Sequence, residues 1–409
     1  MKKSMKIGII RETKIPTDNR VAFTPIQIKN IQNKYKDISF VIQKSDIRAY
    51  HDYEYEELGL EVKEDVSDSD ILFGIKEAKI NTLIPNKHYF FFGHIAKMQT
   101  YNKPLIKKMM ELGITFTDYE YLVDENNHRL CAFGWWAGAV GAYNTLRAFG
   151  LRDKIFELPI PGLKFTLKDL IDYVAANKDY SCKIVVSGKG RSSQGVQFVL
   201  NQIGFKKLDN EEFLKNSSNE PRVYTVAYID SMVKRIDQEN EAFDRNHFRN
   251  NPESYKSDFQ KFSRIADVYI PCHFWNQYDP IYLTEEDLRN EDMKIRVIGD
   301  VTCDIKGSIK STVRSSTHDE PFYDYNPFTE KEEEAFSSDR NITVMAVDTL
   351  PNALALETSK YFGEKLMENI VENLLSENVL ENEIIRRATI LNKGELTDKY
   401  LYLKEFANQ

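Results

Sequence analysis

Two side chains at the ends of apolar runs could do chemistry on an amine. Lys76 closes Asp70-Ile-Leu-Phe-Gly-Ile75, and His94 closes Tyr89-Phe-Phe-Phe-Gly93. Oxidising an amine requires a group that takes its proton, and hydrolysing the resulting imine requires one that activates water. A lysine and a histidine suit those jobs. Singly, a strand-end lysine reads as a solvated cap and a lone histidine as a packing residue; their matched positions strengthen the functional reading to about even with the structural one. Lys14, Arg20, Lys97 and Arg129 are cations near the same strand ends and could clamp carboxylates, although each alone would pass for surface charge.

A second stretch suits a phosphate. Lys183-Ile-Val-Val-Ser-Gly188-Lys-Gly190-Arg-Ser-Ser-Gln-Gly195 passes from an apolar strand through a glycine turn into a helix whose face is Val196, Val199, Leu200 and Ile203. This is the context of a dinucleotide-binding turn, with the helix N-terminus offering backbone N–H groups to a pyrophosphate. Gly188, Gly190 and Gly195 would let the backbone approach, Arg191 would add a charge-assisted contact and Ser192 would lie in the turn. The spacing departs from GxGxxG, since position 193 is serine. A plain structural turn is the competing reading. An acid further on should bind the adenine ribose. Asp209, after Phe205-Lys-Lys-Leu, is the first candidate and Asp230, after Val223–Ile229, its rival. An acid there favours NAD; Lys206, Lys207 and Lys234 nearby leave NADP open.

The elements that must position these residues alternate. Strands are expected at Met5–Ile10, Asp37–Gln43, Asp70–Ile75, Tyr89–Gly93 and Thr115–Tyr119, with Thr24-Pro25 opening a helix whose stripe is Ile26, Ile28 and Ile31. A helical connector rich in closely packing glycines runs from Trp135 to about Asn177. The second α/β unit starts at Lys183 and continues through Ala266–Pro271 and Ile295–Asp300. Residues 235–262 read as an insertion, Glu330–Glu334 as the solvated start of a helix, and the chain after Pro351 as almost wholly helical. Ligands are expected where polar side chains leave such sheets.

At 409 residues the chain should form two domains. A net charge of −8 without a basic block speaks against nucleic acid as a partner, and no apolar run is long enough for a membrane span. The short basic start followed by Ile7–Ile10 is no signal sequence, so a cytoplasmic protein is expected. Cys131, Cys182, Cys272 and Cys303 lack CxxC spacing, so neither a disulfide framework nor a metal site is expected.

With these residues in hand, the chain resembles the alanine dehydrogenase and pyridine nucleotide transhydrogenase superfamily. It is most similar to the NAD-dependent, lysine-forming saccharopine dehydrogenase group and the lysine–ketoglutarate reductase domain. The resemblance runs through Arg11-Glu-Thr-Lys14, Arg20-Val-Ala-Phe-Thr-Pro25, Gly74-Ile-Lys76-Glu77, Gly93-His94 and Asp118-Tyr-Glu120. It continues in Arg129-Leu-Cys-Ala-Phe133-Gly134, Gly190-Arg191, Gly299-Asp300-Val-Thr-Cys-Asp304 and Val347-Asp348-Thr-Leu-Pro351. It implies an α/β fold of two Rossmann-like domains with parallel sheets. The first domain would be discontinuous (1–135 plus 350–409), the NAD-binding domain would span 136–349, and the active site would lie in the interdomain cleft.

It further implies Lys76 as base on the amine, His94 as activator of water and Asp304 beside the nicotinamide. Arg20, Lys97, Arg129 and Phe133 would bind substrate, with Lys14 and Glu120 tuning the charges. Cys272 and Asp300 would join the cofactor set. The implied reaction interconverts saccharopine, NAD and water with lysine, 2-oxoglutarate and NADH, in a monomer or homo-oligomer whose partners are small molecules. Ser192-Ser193 departs from the Cys-Gly of fungal saccharopine dehydrogenases, and residues 210–262 look like the reductase domain, which leaves cofactor and direction open. An alanine dehydrogenase, another opine-type dehydrogenase, the NADPH-linked reductase and a non-catalytic nucleotide-binding protein are the alternatives.

Overall fold

Short runs of Ile, Val, Leu and Phe with polar ends build two separate sheets. A computed structural model describes residues 4–237, 242–376 and 378–408. The chain divides into two units, Met1–Phe133 with Ala355–Gln409, and Gly134–Leu354. Each is α/β and holds an eight-stranded, mostly parallel sheet. No helix among the described residues is long and apolar enough to cross a membrane.

In the first unit Met5–Ile9 lies in the middle of the sheet. The chain steps outward to Ile38–Gln43 and Glu61–Lys63 on one side, then returns to Ile71–Phe73, His88–Phe91 and Thr115–Asp118 on the other, all parallel. Strand order therefore reverses between Met5–Ile9 and Ile71–Phe73, the kind of place where open α/β sheets take ligands. The central strands are largely apolar, as expected of a parallel sheet buried on both faces. Ile7, Phe40, Ile42, Leu72, Phe73, Phe90 and Phe116 are almost fully buried, each such side chain contributing about 1.5–3 kcal/mol. Helix Pro25–Lys34 starts as expected: Thr24 and Gln27 form a capping box. It buries Ile28 and Ile31, but Ile26 points to solvent.

The end of the chain is not wholly helical. After helix Ala355–Asn369, the strands Thr389–Asn392 and Glu395–Leu396 add antiparallel to the edge of this sheet, beside Thr115–Asp118. A two-residue turn with Gly394 at positive φ joins them.

In the second unit Cys182–Ser187 is flanked by Arg222–Ala227 and Val268–Pro271. Lys206–Lys207 extends one side, and Val297–Gly299 and Ile342–Met345 the other, again all parallel. An antiparallel pair, Phe322–Asn326 and Lys331–Glu333, completes the sheet. The acidic run is thus an edge strand, not a helix start: exposed charges there protect the sheet from pairing with other chains. Helix Gly134–Arg152 crosses helix Arg191–Gln202 so closely that a Cβ on Gly138 would strike the Ser192 carbonyl, and one on Gly195 the Trp135 carbonyl. Of residues 235–262, positions 238–241 lie outside the described residues. The rest forms the hairpin Val233–Arg235 with Tyr255–Ser257 and a short helix, Arg245–Asn250.

Candidate active site

At the ends of two neighbouring strands of the first sheet, a lysine, an arginine and a histidine meet one buried carboxylate. Glu120 lies in the turn after Thr115–Asp118 and is 4% exposed. Lys97 Nζ is 2.8 Å from its Oε1, Arg129 also reaches Oε1, and His94 Nδ1 is 3.4 Å from Oε2. Burial would raise the Glu120 carboxyl, but bonds from His94 and Lys97 and the Arg129 charge hold it down at about 2, so it is an anion at neutral pH. Lys97 and Arg129 are half-exposed, so a substrate carboxylate could approach both from solvent. His94 stands at φ 51°, an uncommon backbone for a non-glycine residue. The Asn102 amide donates to its carbonyl at 3.2 Å.

Lys76 follows the strand Ile71–Phe73 and is partly buried. Its neighbour Glu77 receives Lys14 Nζ at 2.9 and 3.2 Å. Arg20, expected at a substrate carboxylate, has another occupation. It is 3% exposed, its Nε and Nη2 donate to Asp18, and its guanidinium lies 4.3 Å above the Phe133 ring. Phe133 in turn stacks on Phe362 at 4.8 Å. The first unit therefore brings together His94, Lys97, Glu120 and Arg129, with Lys76 and the Lys14–Glu77 pair at the end of the adjoining strand. Sequence reasoning missed two of its acids. Glu12 accepts from the backbone N–H of Ile75 and Lys76, and Asp118 from those of Gly93 and Glu120.

In the second unit a cavity of about 560 Å³ opens where Cys182–Ser187, Arg222–Ala227 and Val268–Pro271 end. Gly188, Lys189, Gly190, Tyr228, Cys272 and His273 line it, and Arg245 and Arg249 contribute from the short helix. Gly188 has φ 98°, and a Cβ there would sit 2.6 Å from the Cys272 carbonyl oxygen; only glycine fits. A Cβ on Gly190 would meet nothing within 4 Å, so the turn opens onto free space at a helix N-terminus whose first amides have no partner within the helix. This is a cradle that suits a dinucleotide pyrophosphate. Arg191 and Ser192 lie in the first turn of that helix.

Other residues expected here hold the fold. Gly195 serves the helix crossing. Asp209 is the N-cap of helix Asn210–Lys215, where it bonds Glu212 N–H at 2.8 Å, and its strand lies at the sheet edge, one strand away from Cys182–Ser187. The D-x-x-E spacing already carried that capping signal. Asp230 instead follows the strand that pairs directly with Cys182–Ser187. Asp300 is 1% exposed and accepts from Thr302, Cys303 and Thr312, closing the exposed loop that carries Asp304. His273, not anticipated, links Ser187 Oγ (2.7 Å) to Ser308 Oγ (2.8 Å), and burial pushes its imidazole down to about 3, so it is neutral.

Comparison with known proteins adds relatives to this geometry. Residues 8–140 match the family model of the alanine dehydrogenase/PNT N-terminal domain. The chain is 30% identical over 442 residues to alpha-aminoadipic semialdehyde synthase of Arabidopsis thaliana, covering 97% of this chain and 41% of that protein. It is 25% identical over 402 residues to the NAD(+), L-lysine-forming saccharopine dehydrogenase of Candida glabrata, covering 92% of this chain and 93% of that one. Among solved structures, an L-alanine dehydrogenase superposes with TM-score 0.66 at 16% identity, over 98% of this chain and 99% of that one, which is a likeness of fold. The chain spans less than half the length of the semialdehyde synthases it matches.

Proposed function

From the alanine dehydrogenase/PNT N-terminal domain of residues 8–140 and the geometry above, we propose that this chain is a saccharopine-type oxidoreductase. It interconverts saccharopine, NAD and water with L-lysine, 2-oxoglutarate and NADH. The observation that carries this reading is the convergence of His94, Lys97 and Arg129 on Glu120 beside Lys76. It joins an acid–base pair to half-exposed cations, as an amine substrate with several carboxylates requires.

In the oxidative direction Lys76 Nζ takes the proton of the substrate's secondary amine as the hydride leaves the glutaryl α-carbon. Bound nicotinamide supplies the two-electron acceptor. The Glu120 anion faces His94 Nδ1 and so favours the tautomer with its proton there. Nε2 is then the base that takes a proton from water as it attacks the substrate imine. The protons return to the departing lysine amine, and 2-oxoglutarate keeps its carboxylates on Lys97 and Arg129. Gly188, Gly190 and the amides of Arg191 and Ser192 would hold the pyrophosphate, Cys272 lines the same cavity, and Asp304 would serve the nicotinamide.

A second reading of the cofactor has its own support. Lys189, Arg245 and Arg249 line the cavity, and Lys189 lies 4.1 Å above the Tyr228 ring. Three cations there favour a phosphate on the adenine ribose, hence NADP(H); Asp230, at the end of the adjoining strand, is the acid that would favour NAD(H). The test is oxidation of NADH or NADPH with 2-oxoglutarate and a panel of amines including lysine and ammonia, with pyruvate plus ammonia for comparison. Turnover with 2-oxoglutarate and lysine is expected; turnover only with pyruvate and ammonia would replace this reading by an alanine dehydrogenase.

A further inference from the structure

The first sheet uses one device twice. Met5–Ile9 pairs with Ile71–Phe73, and beyond its end Glu12 reaches across to the neighbour's exit turn. Glu12 Oε1 accepts from Ile75 N–H at 2.6 Å and Oε2 from Lys76 N–H at 2.9 Å. Thr115–Asp118 pairs with His88–Phe91, and its last residue does the same. Asp118 Oδ2 accepts from Gly93 N–H at 3.2 Å, while Oδ1 accepts from Glu120 N–H at 2.9 Å. Glu12 is 8% exposed and Asp118 is fully buried. One carboxyl group thus grips the turn carrying Lys76. The other ties the turn carrying His94 to the turn carrying Glu120.

We propose that Glu12 and Asp118 are positioning residues, each fixing the backbone under one acid–base group, Glu12 under Lys76 and Asp118 under His94. This rests on the functional reading of Lys76 and His94 given above. The arrangement costs stability. Burial, with Asp18 nearby, pushes the Glu12 carboxyl up to about 8, and burial, with Glu120 nearby, pushes Asp118 up to about 7, against the amide bonds that draw both down. Strand-end amides could be satisfied by water or a neutral side chain, so folding alone does not call for a buried carboxyl at both places. What these carboxyls add is a fixed direction for each turn. His94 needs it most, because its left-handed backbone has few ways to be held.

Glu12→Gln and Asp118→Asn test this, since each keeps the volume and sets an NH2 against one of the two backbone donors. The pH–rate profiles of Lys76→Met and His94→Gln are recorded first, and each should lack one limb. If both keep both limbs, the functional reading itself falls. With the limbs assigned, Glu12→Gln should move only the limb lost in Lys76→Met, and Asp118→Asn only the limb lost in His94→Gln. Each should lower kcat by about 10–100-fold, the scale expected for misplacement of a reacting group by about an ångström. KM for 2-oxoglutarate and cofactor affinity should stay near wild type. Amide exchange should quicken at Ile75 and Lys76 in the first variant, and at Gly93 and Glu120 in the second. A variant that moves both limbs, or neither, overturns the inference, as does faster exchange with unchanged kcat.

Discussion

Two glycines of the turn at the end of Cys182–Ser187 should respond to substitution in opposite ways. At Gly188 an added methyl meets the Cys272 carbonyl oxygen at 2.6 Å, its carbon at 2.8 Å and the His273 Cα at 2.9 Å, all of it backbone that cannot rotate away. The φ of 98° adds a cost of about 1–2 kcal/mol for a residue with a Cβ. Overpacking adds about 1–3 kcal/mol. Gly188→Ala should therefore destabilise the second unit by about 2–5 kcal/mol. Gly190 has φ −74° and ψ −178°, an extended backbone open to any residue, and nothing within 4 Å of an added Cβ. Gly190→Val should change stability little, but its side chain fills the space offered to a pyrophosphate. A rise in Kd for the reduced cofactor of about 100-fold, or ~2.8 kcal/mol, is expected. Urea unfolding and fluorescence titration with NADH and NADPH measure the two effects. Unchanged cofactor affinity in folded Gly190→Val would refute the cradle; a Gly188→Ala protein as stable as wild type would refute the packing argument.

Three further outcomes are expected. Arg129→Ala should raise KM for 2-oxoglutarate by about 10–100-fold, or ~1.4–2.8 kcal/mol, while Glu120 keeps His94 and Lys97; unchanged KM for every substrate would make Arg129 a surface charge. Replacing Arg245 and Arg249 together by alanine should weaken NADPH about 10-fold or more and leave NADH almost untouched; equal losses for both cofactors would remove the ribose-phosphate reading. His273 ionises near 6.5 when unfolded and at about 3 when folded, so the unfolded chain binds its proton first. Its contribution to stability is present above pH 6.5 and is lost as pH falls from there towards 3. Urea midpoints across that range should fall less steeply in His273→Gln, and identical slopes would contradict the assignment.

Part of the first site was legible because Lys76 and His94 end apolar runs, with Lys97 and Arg129 lying beyond strand ends. The Gly188–Gly190 turn was legible for the same reason. Glu12 and Asp118 were not, because a buried carboxylate that receives backbone amides has no sequence pattern of its own. Asp209 misled because two signals coincide there. An acid after a short strand suits a ribose, yet the same acid with Glu212 is a capping box. Arg245 and Arg249 were hidden in a polar segment read as an insertion, and only the hairpin that folds it back brings them to the cavity. The last strands were missed because Thr389–Asn392 pairs with a strand some 270 residues earlier, a distance that local periodicity does not reach.

That late pairing sets an order of assembly. During synthesis the second unit, one continuous stretch, emerges with everything it needs to fold. The first unit does not. Until Thr389–Asn392 leaves the ribosome, the strand ending in Asp118 has an open edge, and Phe362 is absent from the rings of Phe92, Tyr119 and Phe133. An open edge of this kind is a template for pairing with other chains. The second unit can therefore close its sheet before the first, whose Thr115–Asp118 edge stays open until Thr389–Asn392 has been made, so a chain interrupted between the two would carry one finished sheet and one open one.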